Sequence, residues 1–173
     1  MSFNKDWAGN MKIATMATGG IGGYLAVRLA NSGHQVITIA RGAHLEAIQK
    51  DGLKLDGFDG IHCVRPWIAT SDPAEVGKVD AIIFGVKGDG LEAAAKACIP
   101  MVGDDTVVIP FLNGVEASDR LTQIMTEKND GNGVSQISTT ISSPGHINQT
   151  GEFNLFKFYE LDSRPSERNY ALR

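Results

Sequence analysis

The sequence predicts an α/β fold built on a doubly wound parallel sheet, with antiparallel strands added at the C-terminal end. Three observations support this fold class. Continuous apolar strands alternate with helices from Lys12 to about Asp130, which is the pattern of a parallel sheet covered on both faces. A glycine-rich turn follows the first strand. Beyond Asp130 the segments are strand-like, with no helix between them.

The first half of the alternation follows from local patterns. The run KIATM predicts a buried strand, and Ile21, Leu25 and Leu29 mark one face of a helix that begins at Gly20. The polar triplet NSG, at Ser32, ends that helix. The next predicted strand, helix and short strand are QVITIA, AHLEAIQK and GLKL.

The second half repeats this order and then changes. VDAIIFGVK and TVVIPFL predict strands, and LEAAAKACIPM and EASDRLTQIM predict the helices that follow them. After Asp130, strands are predicted for GVSQISTTI, HINQT and FNLFKFYEL, separated by Pro144-Gly145 and by Gly151. We expect these strands to extend the parallel sheet in antiparallel fashion.

Composition limits the classes of function. The 173 residues carry 16 basic and 20 acidic side chains, for a formal net charge of −4, so the chain lacks the basic field that binds nucleic acid or an anionic membrane. No apolar run approaches the about 20 residues of a membrane-spanning helix, and no secretory signal is recognisable. We therefore expect a cytoplasmic protein with a small-molecule partner. Cys63 and Cys98 lack metal-binding spacing, which predicts two reduced thiols and no metal.

The turn after the first strand has the spacing G-x-G-x-x-G, with Ala17 in place of the first glycine. In this motif the second glycine lets the backbone approach a pyrophosphate and the third lets the helix pack on the strand. Amides at the helix start then hold the pyrophosphate. Ala17 costs about 1–2 kcal/mol only if its φ is positive. The alternative is that the glycines serve helix packing alone. The predicted cofactor-binding residues here are Ala17, Thr18, Gly19, Gly20, Ile21 and Gly22.

The end of the second strand distinguishes between the two nicotinamide cofactors. A ribose 2′-hydroxyl is bound by a carboxylate there, and a 2′-phosphate by a cation. The residue at this place is Arg41, which lies 19 positions after Gly22, and a guanidinium binds phosphate bidentately. The alternative is a solvated loop arginine. The sequence thus favours NADP(H) over NAD(H).

Five runs of the sequence together resemble the ketopantoate reductase (2-dehydropantoate 2-reductase) family. They cover most of the chain from Lys12 to Gly151: KIATMATGGIGGYLAVRLANSGHQV, ARGAHLEAIQKDGLKL, VDAIIFGVKGDGLEAAAKA, VVIPFLNGVEASDRL and GVSQISTTISSPGHINQTG. The resemblance implies a Rossmann-type domain followed by a helical domain. It also implies NADPH-dependent reduction of a 2-keto acid, ketopantoate to pantoate, in pantothenate and coenzyme A biosynthesis.

The resemblance also implies roles for single residues. Arg41 and Lys87 would bind the adenosine phosphate end of the cofactor, and Asn113 would contact the nicotinamide ribose and the substrate. Thr139 would touch the cofactor through its backbone. The family's general-acid lysine lies in its helical domain, which we expect to begin about where Arg173 stands, so no catalytic residue is assigned. We expect the four histidines to be loop or surface residues, since none has catalytic spacing.

The resemblance divides the chain into three parts. Residues 1–11 form a polar leader, residues 12–160 the NADP-binding Rossmann domain, and residues 161–173 the start of a linker to the helical domain. We expect this chain alone to bind NADPH weakly, to reduce ketopantoate slowly or not at all, and to self-associate through the apolar face that a helical domain would cover. Two alternatives stay open: an NADP(H)-binding module without catalysis, and a reductase of another 2-keto acid.

Overall fold

Five parallel strands form the central sheet of the computed structural model, which describes residues 9–86, 90–111, 117–125, 129 and 131–160. They are β1 (Lys12–Met16), β2 (Gln35–Ile39), β5 (Ile68–Thr70), β6 (Val79–Phe84) and β7 (Val102–Pro110). Their order in the sheet is β5-β2-β1-β6-β7. The predicted parallel sheet is therefore confirmed.

The chain winds outward from β1 in both directions, as a doubly wound fold requires. It first builds β2 and β5 on one side of β1, and later β6 and β7 on the other. The order of strands reverses between β1 and β6, where Met16 pairs with Phe84. In open α/β sheets, ligands bind outside the carboxyl ends of the strands at such a reversal. This edge of the sheet is where a site is expected.

Four helices cover the two faces of this sheet. They are α1 (Gly20–Asn31), α2 (Gly42–Asp51), α3 (Leu91–Cys98) and α4 (Ala117–Thr122). Helices α3 and α4 pack on one face, where Leu91, Cys98 and Leu121 join strand residues such as Ile82 in one buried cluster. Helix α1 packs on the other face, as predicted from its Ile21, Leu25 and Leu29 stripe.

A second sheet holds the C-terminal strands, and here the predicted topology was wrong. The strands β3 (Leu53–Gly57), β4 (Gly60–Val64), β8 (Gly131–Ser143) and β9 (His146–Glu160) form a separate mixed sheet in the order β4-β3-β9-β8. β8 and β9 are antiparallel to each other, as expected, but β9 pairs with β3 rather than with the parallel sheet. The predicted segments HINQT and FNLFKFYEL form one strand, interrupted only by a bulge near Gly151, whose φ is +85°.

Helix α1 lies between the two sheets, which explains why the C-terminal strands form a layer of their own. Tyr24 and Val27 of α1 share a buried cluster with Leu53, Leu55 and Ile147 of the mixed sheet. The contact is close enough that a Cβ on Gly23 would lie 2.6 Å from Ile147 Cδ1. The apolar surface on the outer side of α1 thus needs a second sheet to cover it.

An ion pair joins the far end of α1 to the turn between β3 and β4. Arg28 donates two hydrogen bonds to Asp59, at 2.7 and 2.6 Å. These bonds hold the pKa of the Asp59 carboxyl well below its usual range. Arg28 also lies 5.1 Å from the centroid of the Tyr24 ring. Both partners are partly solvated, so this pair orients the hairpin more than it stabilises the fold.

The ribbon of β8 and β9 alternates between apolar residues that face inward and outward. Phe156 and Phe158 pack toward the buried clusters, and Phe156 stacks on Tyr24 with 5.7 Å between ring centroids. Val134 and Leu155 point the other way and are 63% and 47% exposed. These exposed apolar side chains are compatible with the predicted self-association, which stays a prediction.

Two short strands were absent from the sequence-based prediction. β4 exposes most of its side chains, so it lacks the apolar alternation that marks a half-buried strand. β5 has only three residues and follows Pro66. No helix within the described ranges is long and apolar enough to cross a membrane. Both cysteines are free thiols. Residues 1–8 of the predicted leader and the whole segment 161–173 lie outside the described residues.

We expect Ile147→Ala to destabilise the protein strongly, because Ile147 is fully buried between α1 and the mixed sheet. Removing a buried isoleucine side chain costs about 2–5 kcal/mol of unfolding free energy. The matched control is Ile141→Ala on the neighbouring strand, where the side chain is 45% exposed and the expected cost is below about 1 kcal/mol. Urea unfolding measures both. Equal losses would contradict the packing of α1 between two sheets.

Candidate functional site

The glycine-rich turn lies at the carboxyl edge of the parallel sheet, between the ends of β1, β2 and β6. The Thr18 amide donates to the Ile39 carbonyl at the end of β2, at 2.9 Å. The Gly85 amide donates to the Met16 carbonyl at the end of β1, at 3.1 Å. These bonds fix the turn at the point where the strand order reverses.

Ala17 adopts the left-handed backbone conformation. This is the conformation in which an alanine, unlike a glycine, carries a steric cost. Its φ is +59°, and it is the one non-glycine residue with positive φ in the described ranges. The tight turn of the motif is therefore formed, at a strain cost of about 1–2 kcal/mol. The surrounding contacts stabilise it, since the Gly19 amide donates to the Ala17 carbonyl at 2.7 Å.

Helix α1 approaches the turn and the neighbouring strands so closely that side chains would not fit. A Cβ on Gly22 would lie 2.9 Å from the Ala17 carbonyl oxygen. Gly85, directly after β6, also allows this close approach, because a Cβ there would lie 3.1 Å from the Gly22 nitrogen. The sequence analysis did not identify Gly85. Its position in the sequence could have revealed it, because Gly85 directly follows an apolar strand that was expected to lie in the same sheet as the strand before the glycine turn.

Gly20 and Thr139 meet at the start of α1. A Cβ on Gly20 would lie 2.5 Å from the Thr139 carbonyl oxygen. The Thr139 hydroxyl is buried and has no hydrogen-bond partner among the described residues. The structure thus places Thr139 beside the predicted cofactor turn, with a buried hydroxyl that has no hydrogen-bond partner among the described residues.

Gly19 has no such packing reason for lacking a side chain. The nearest atom to a Cβ built there is the Ala17 carbonyl oxygen at 3.9 Å, an ordinary contact distance. Its φ of −88° and ψ of −150° are extended and need no glycine. Among the described residues, a side chain at the N-cap of α1 would therefore meet no crowding, so neither packing nor backbone conformation explains the glycine.

The N-terminus of α1 carries no capping side chain. Gly19 is its N-cap residue, no side chain hydrogen bonds to the cap, and its first turn holds no acidic residue. The hydrogen-bond ladder begins with the Gly23 amide donating to the Gly19 carbonyl at 2.7 Å. The first-turn amides of a helix have no intrahelical acceptor, and with the helix dipole they form a site for an anion.

Thr18 is buried, and each of its polar groups is hydrogen bonded. Its hydroxyl lies 2.9 Å from the Thr15 hydroxyl and within 3.2 Å of the Thr15 and Ile39 carbonyl oxygens. Its own carbonyl accepts from His44 Nε2 at 2.8 Å. Thr18 therefore fixes the turn from within, and its side chain does not face a ligand.

His44 is not the surface residue that the sequence suggested. It lies half-buried on α2, with Nε2 on the Thr18 carbonyl and Nδ1 accepting from the Gly145 amide at 3.0 Å. Burial lowers its pKa below the ordinary value of 6.5, and the Thr18 carbonyl opposes part of this effect. His34 and His146 are also engaged: the first accepts from the Met11 amide, and the second pairs with Asp56 at 2.7 Å.

Arg41 stands at the end of β2 as predicted. It is the N-cap residue of α2, and it is exposed. No residue of the described ranges forms an ion pair or side-chain hydrogen bond with its guanidinium, in contrast to Arg28, which Asp59 occupies. An exposed guanidinium beside a helix start, at the same sheet edge as the glycine turn, is suited to an anionic group.

Lys87 and Asn113 lie outside the described residues, so their predicted roles stay predictions. The strands that precede them end side by side, since Phe84 of β6 pairs with Pro110 of β7. The described ranges contain no group of three or more acidic, histidine or cysteine residues that could hold a metal ion.

The family model for ketopantoate reductase PanE/ApbA matches residues 13–161. The chain belongs to the ketopantoate reductase family. It is 42% identical to the 2-dehydropantoate 2-reductase of Mesorhizobium japonicum over 106 residues, which are 61% of this chain and 32% of that protein. The resemblance identified in the sequence is thereby confirmed.

Solved structures show the same fold. A 2-dehydropantoate 2-reductase from Porphyromonas gingivalis superposes with a TM-score of 0.89 and 33% identity, over 95% of this chain and 60% of that one. A D-mandelate dehydrogenase solved with NADH and anilino(oxo)acetate has a TM-score of 0.80 at 23% identity, over 94% of this chain and 51% of that one. The chain therefore spans between about a third and three fifths of the length of these relatives.

We expect Ala17→Gly to raise the free energy of unfolding of the protein by about 1 kcal/mol, because glycine adopts positive φ without the steric cost of a Cβ. The control is Ala93→Gly on the exposed face of α3, which should destabilise by about 1 kcal/mol. Thermal or urea unfolding measures both. A loss of stability at position 17 would contradict the left-handed turn.

We expect the stability of the protein to fall on acidification in part through His44. Its pKa is lowered in the folded state, so as the pH falls below about 6.5 the unfolded chain takes up this proton first and gains stability relative to the fold. His44→Gln removes the titration. Melting temperatures from pH 7.5 to pH 5.5 should fall more steeply for the wild type than for His44→Gln. Parallel curves would contradict the burial of a neutral imidazole.

Proposed function

We propose that this chain is the NADPH-binding part of a ketopantoate reductase, an oxidoreductase that reduces 2-dehydropantoate to pantoate. The observation that carries the proposal is Gly19 at the uncapped N-terminus of α1. Among the described residues no atom crowds a Cβ at this glycine, and its backbone angles are not unusual, yet it stands beside the first-turn amides of α1 at the reversal of strand order. Close approach of a diphosphate to the backbone explains it. Packing alone does not.

The residues present fit a nicotinamide dinucleotide at both its phosphate positions. The first-turn amides at Gly20 and Ile21 would hold the diphosphate, and Arg41 would bind the 2′-phosphate of the adenosine ribose. The net charge of the whole chain is −4, so a local cation matters for recruiting this anionic group. The guanidinium of Arg41, which is exposed and has no side-chain partner within the described ranges, is the basis for preferring NADPH to NADH.

When bound, the cofactor supplies a hydride for the keto carbon of the substrate. The contribution of this chain would be to bind and orient the cofactor: the backbone amides at the start of α1 would hold the diphosphate, at the carboxyl edge of the parallel sheet. Lys87 and Asn113 remain our candidates for the adenosine phosphate end and for the nicotinamide ribose with the substrate. The alkoxide that forms on reduction needs a general acid, which we assign to no residue of this chain.

A second candidate is a reductase of a different 2-keto acid. The fold likeness to D-mandelate dehydrogenase favours keeping it, because a shared fold carries many substrates. A third is a dinucleotide-binding module without turnover. NADPH oxidation measured with ketopantoate, and with aromatic and branched 2-keto acids, separates the first two candidates. Faster oxidation with ketopantoate supports the first, and faster oxidation with another 2-keto acid supports the second.

We expect Arg41→Ala to weaken NADPH binding by about 10- to 100-fold, because a charge-assisted hydrogen bond contributes about 1.5–3 kcal/mol. NADH binding should change by less than about twofold, since NADH has no 2′-phosphate. Arg65→Ala is the matched control, because Arg65 donates to the Lys50 carbonyl at the opposite end of α2. Fluorescence titration measures six affinities, those of both cofactors for the wild type and for each of the two variants. Equal affinity for both cofactors, unchanged by the Arg41 substitution, would remove the assignment of NADP.

We expect Gly19→Ala to fold with a stability within about 1 kcal/mol of the wild type and to lose NADPH affinity by at least about tenfold. The structure leaves room for the methyl group in the protein alone, so only a ligand would clash with it. Unfolding and NADPH titration are measured on the same sample. Unchanged affinity would contradict diphosphate binding at this turn.

A further inference from the structure

His44 joins three segments that meet at the cofactor edge of the sheet. Its Nε2 lies 2.8 Å from the Thr18 carbonyl oxygen in the glycine turn. Its Nδ1 lies 3.0 Å from the Gly145 amide in the turn between β8 and β9. The ring itself belongs to the first turn of α2, three residues after Arg41. One imidazole thus ties the glycine turn to the arginine helix and to the mixed sheet.

The two bonds require one state of the ring. An amide N–H is a donor only, so Nδ1 must carry a lone pair, and a carbonyl is an acceptor only, so Nε2 must carry the hydrogen. The neutral Nε2–H tautomer alone satisfies both partners. Neither partner is a charged side chain, and burial favours the neutral form.

The Thr18 carbonyl has a specific importance for helix α1. In an α-helix the acceptor for the Gly22 amide is the Thr18 carbonyl, and in a 3₁₀ turn the same carbonyl accepts from the Ile21 amide. In the structure the ladder begins one residue later, with Gly23 bonded to Gly19. The Thr18 carbonyl bonds to His44 instead, and among the described residues neither the Ile21 nor the Gly22 amide donates to it.

We propose that His44 is a positioning residue for dinucleotide binding: by holding the Thr18 carbonyl out of the α1 hydrogen-bond ladder, it keeps the first-turn amides available for a diphosphate. The inference rests on the proposed cofactor function of this turn. Through the same ring, the start of α2 with Arg41 is held at a fixed distance from the amides. The first-turn amides of α1 and the Arg41 guanidinium, which would bind the diphosphate and the 2′-phosphate, are thereby held in fixed positions relative to each other.

The contact with Gly145 supports the ring from the other side. Gly145 has a φ of +72°, and a Cβ there would lie 3.0 Å from Ala47 Cβ on α2. The turn between β8 and β9 therefore sits directly on α2. The bond to Gly145 therefore contributes to the packing of the fold, whereas the bond to Thr18 is made to the glycine turn. A substitution that keeps one of these two bonds and removes the other can test their effects separately.

Two conservative variants separate these bonds. In His44→Gln the amide nitrogen can reach the position of Nε2 and still donate to Thr18, while in His44→Asn the shorter amide oxygen can replace Nδ1 and still accept from Gly145. We expect His44→Asn to raise the NADPH dissociation constant about tenfold, the effect of one lost hydrogen bond, and His44→Gln to stay within about threefold of the wild type. Melting temperatures are measured alongside.

Each outcome decides the inference. The inference is supported if His44→Asn binds NADPH more weakly than the wild type, His44→Gln does not, and the melting temperatures of the two variants are similar. Equal affinity in all three proteins overturns it and leaves the proposed function intact. Equal losses of affinity and stability in both variants overturn it as well, because they indicate a purely structural role. A wild type that binds neither NADPH nor NADH overturns the proposed function and this inference together.

A measurement without ligand tests the same geometry. In the ¹⁵N NMR spectrum of the histidine-labelled chain at pH 7.5, we expect the His44 signals of the neutral Nε2–H tautomer. In the uniformly ¹⁵N-labelled chain we also expect the amide signals of Ile21 and Gly22 to shift in His44→Asn and to stay in place in His44→Gln. A neutral ring protonated on Nδ1, or unmoved amides in His44→Asn, would overturn the inference even if the cofactor binds.

Discussion

The close approach of α1 to a sheet on each of its sides is the constraint on which the rest of the structure depends. The first four positions of this helix are three glycines and one isoleucine, GIGG. Gly22 lets the helix contact the turn at Ala17, while Gly20 and Gly23 let it contact Thr139 and Ile147 of the mixed sheet. At Gly20 and Gly22 backbone meets backbone, and at Gly23 the helix backbone meets the Ile147 side chain, so the helix has little room to move.

This packing has a chemical consequence at the helix start. Amides that are rigidly held and aimed in one direction bind an anion without first being reorganised, which is how a neutral backbone can replace a charged side chain. The strain at Ala17 is part of the same arrangement, because its left-handed backbone turns the chain from the strand into the helix within three residues. The buried bonds of Thr18 stabilise that conformation from below. The site is therefore a product of backbone geometry more than of side-chain chemistry.

Sequence reasoning found most of the fold because the relevant signals are local. Apolar strands, amphipathic helices and a glycine turn in the right order predict a parallel sheet, and the Ile21, Leu25 and Leu29 stripe correctly predicted the inner face of α1. It missed β4 and β5, whose residues carry no strong periodicity. It also placed the C-terminal strands in the wrong sheet, because the pairing partner of β9 is β3, and the choice between two sheets depends on contacts between residues about 90 positions apart.

The sequence by itself determined the family, the glycine turn and the arginine at the end of β2, since each depends on residue type and spacing along a few dozen positions. Only the tertiary structure decided that Ala17 is strained, that Gly85 completes the close approach, and that Gly19, unlike Gly20, Gly22 and Gly23 of the same turn, meets no crowding among the described residues. It also decided the place of His44, which is one of four similar histidines in the sequence and bridges two turns in the fold. The physical reason is that hydrogen bonds and close contacts between distant segments depend on distances that no local pattern encodes.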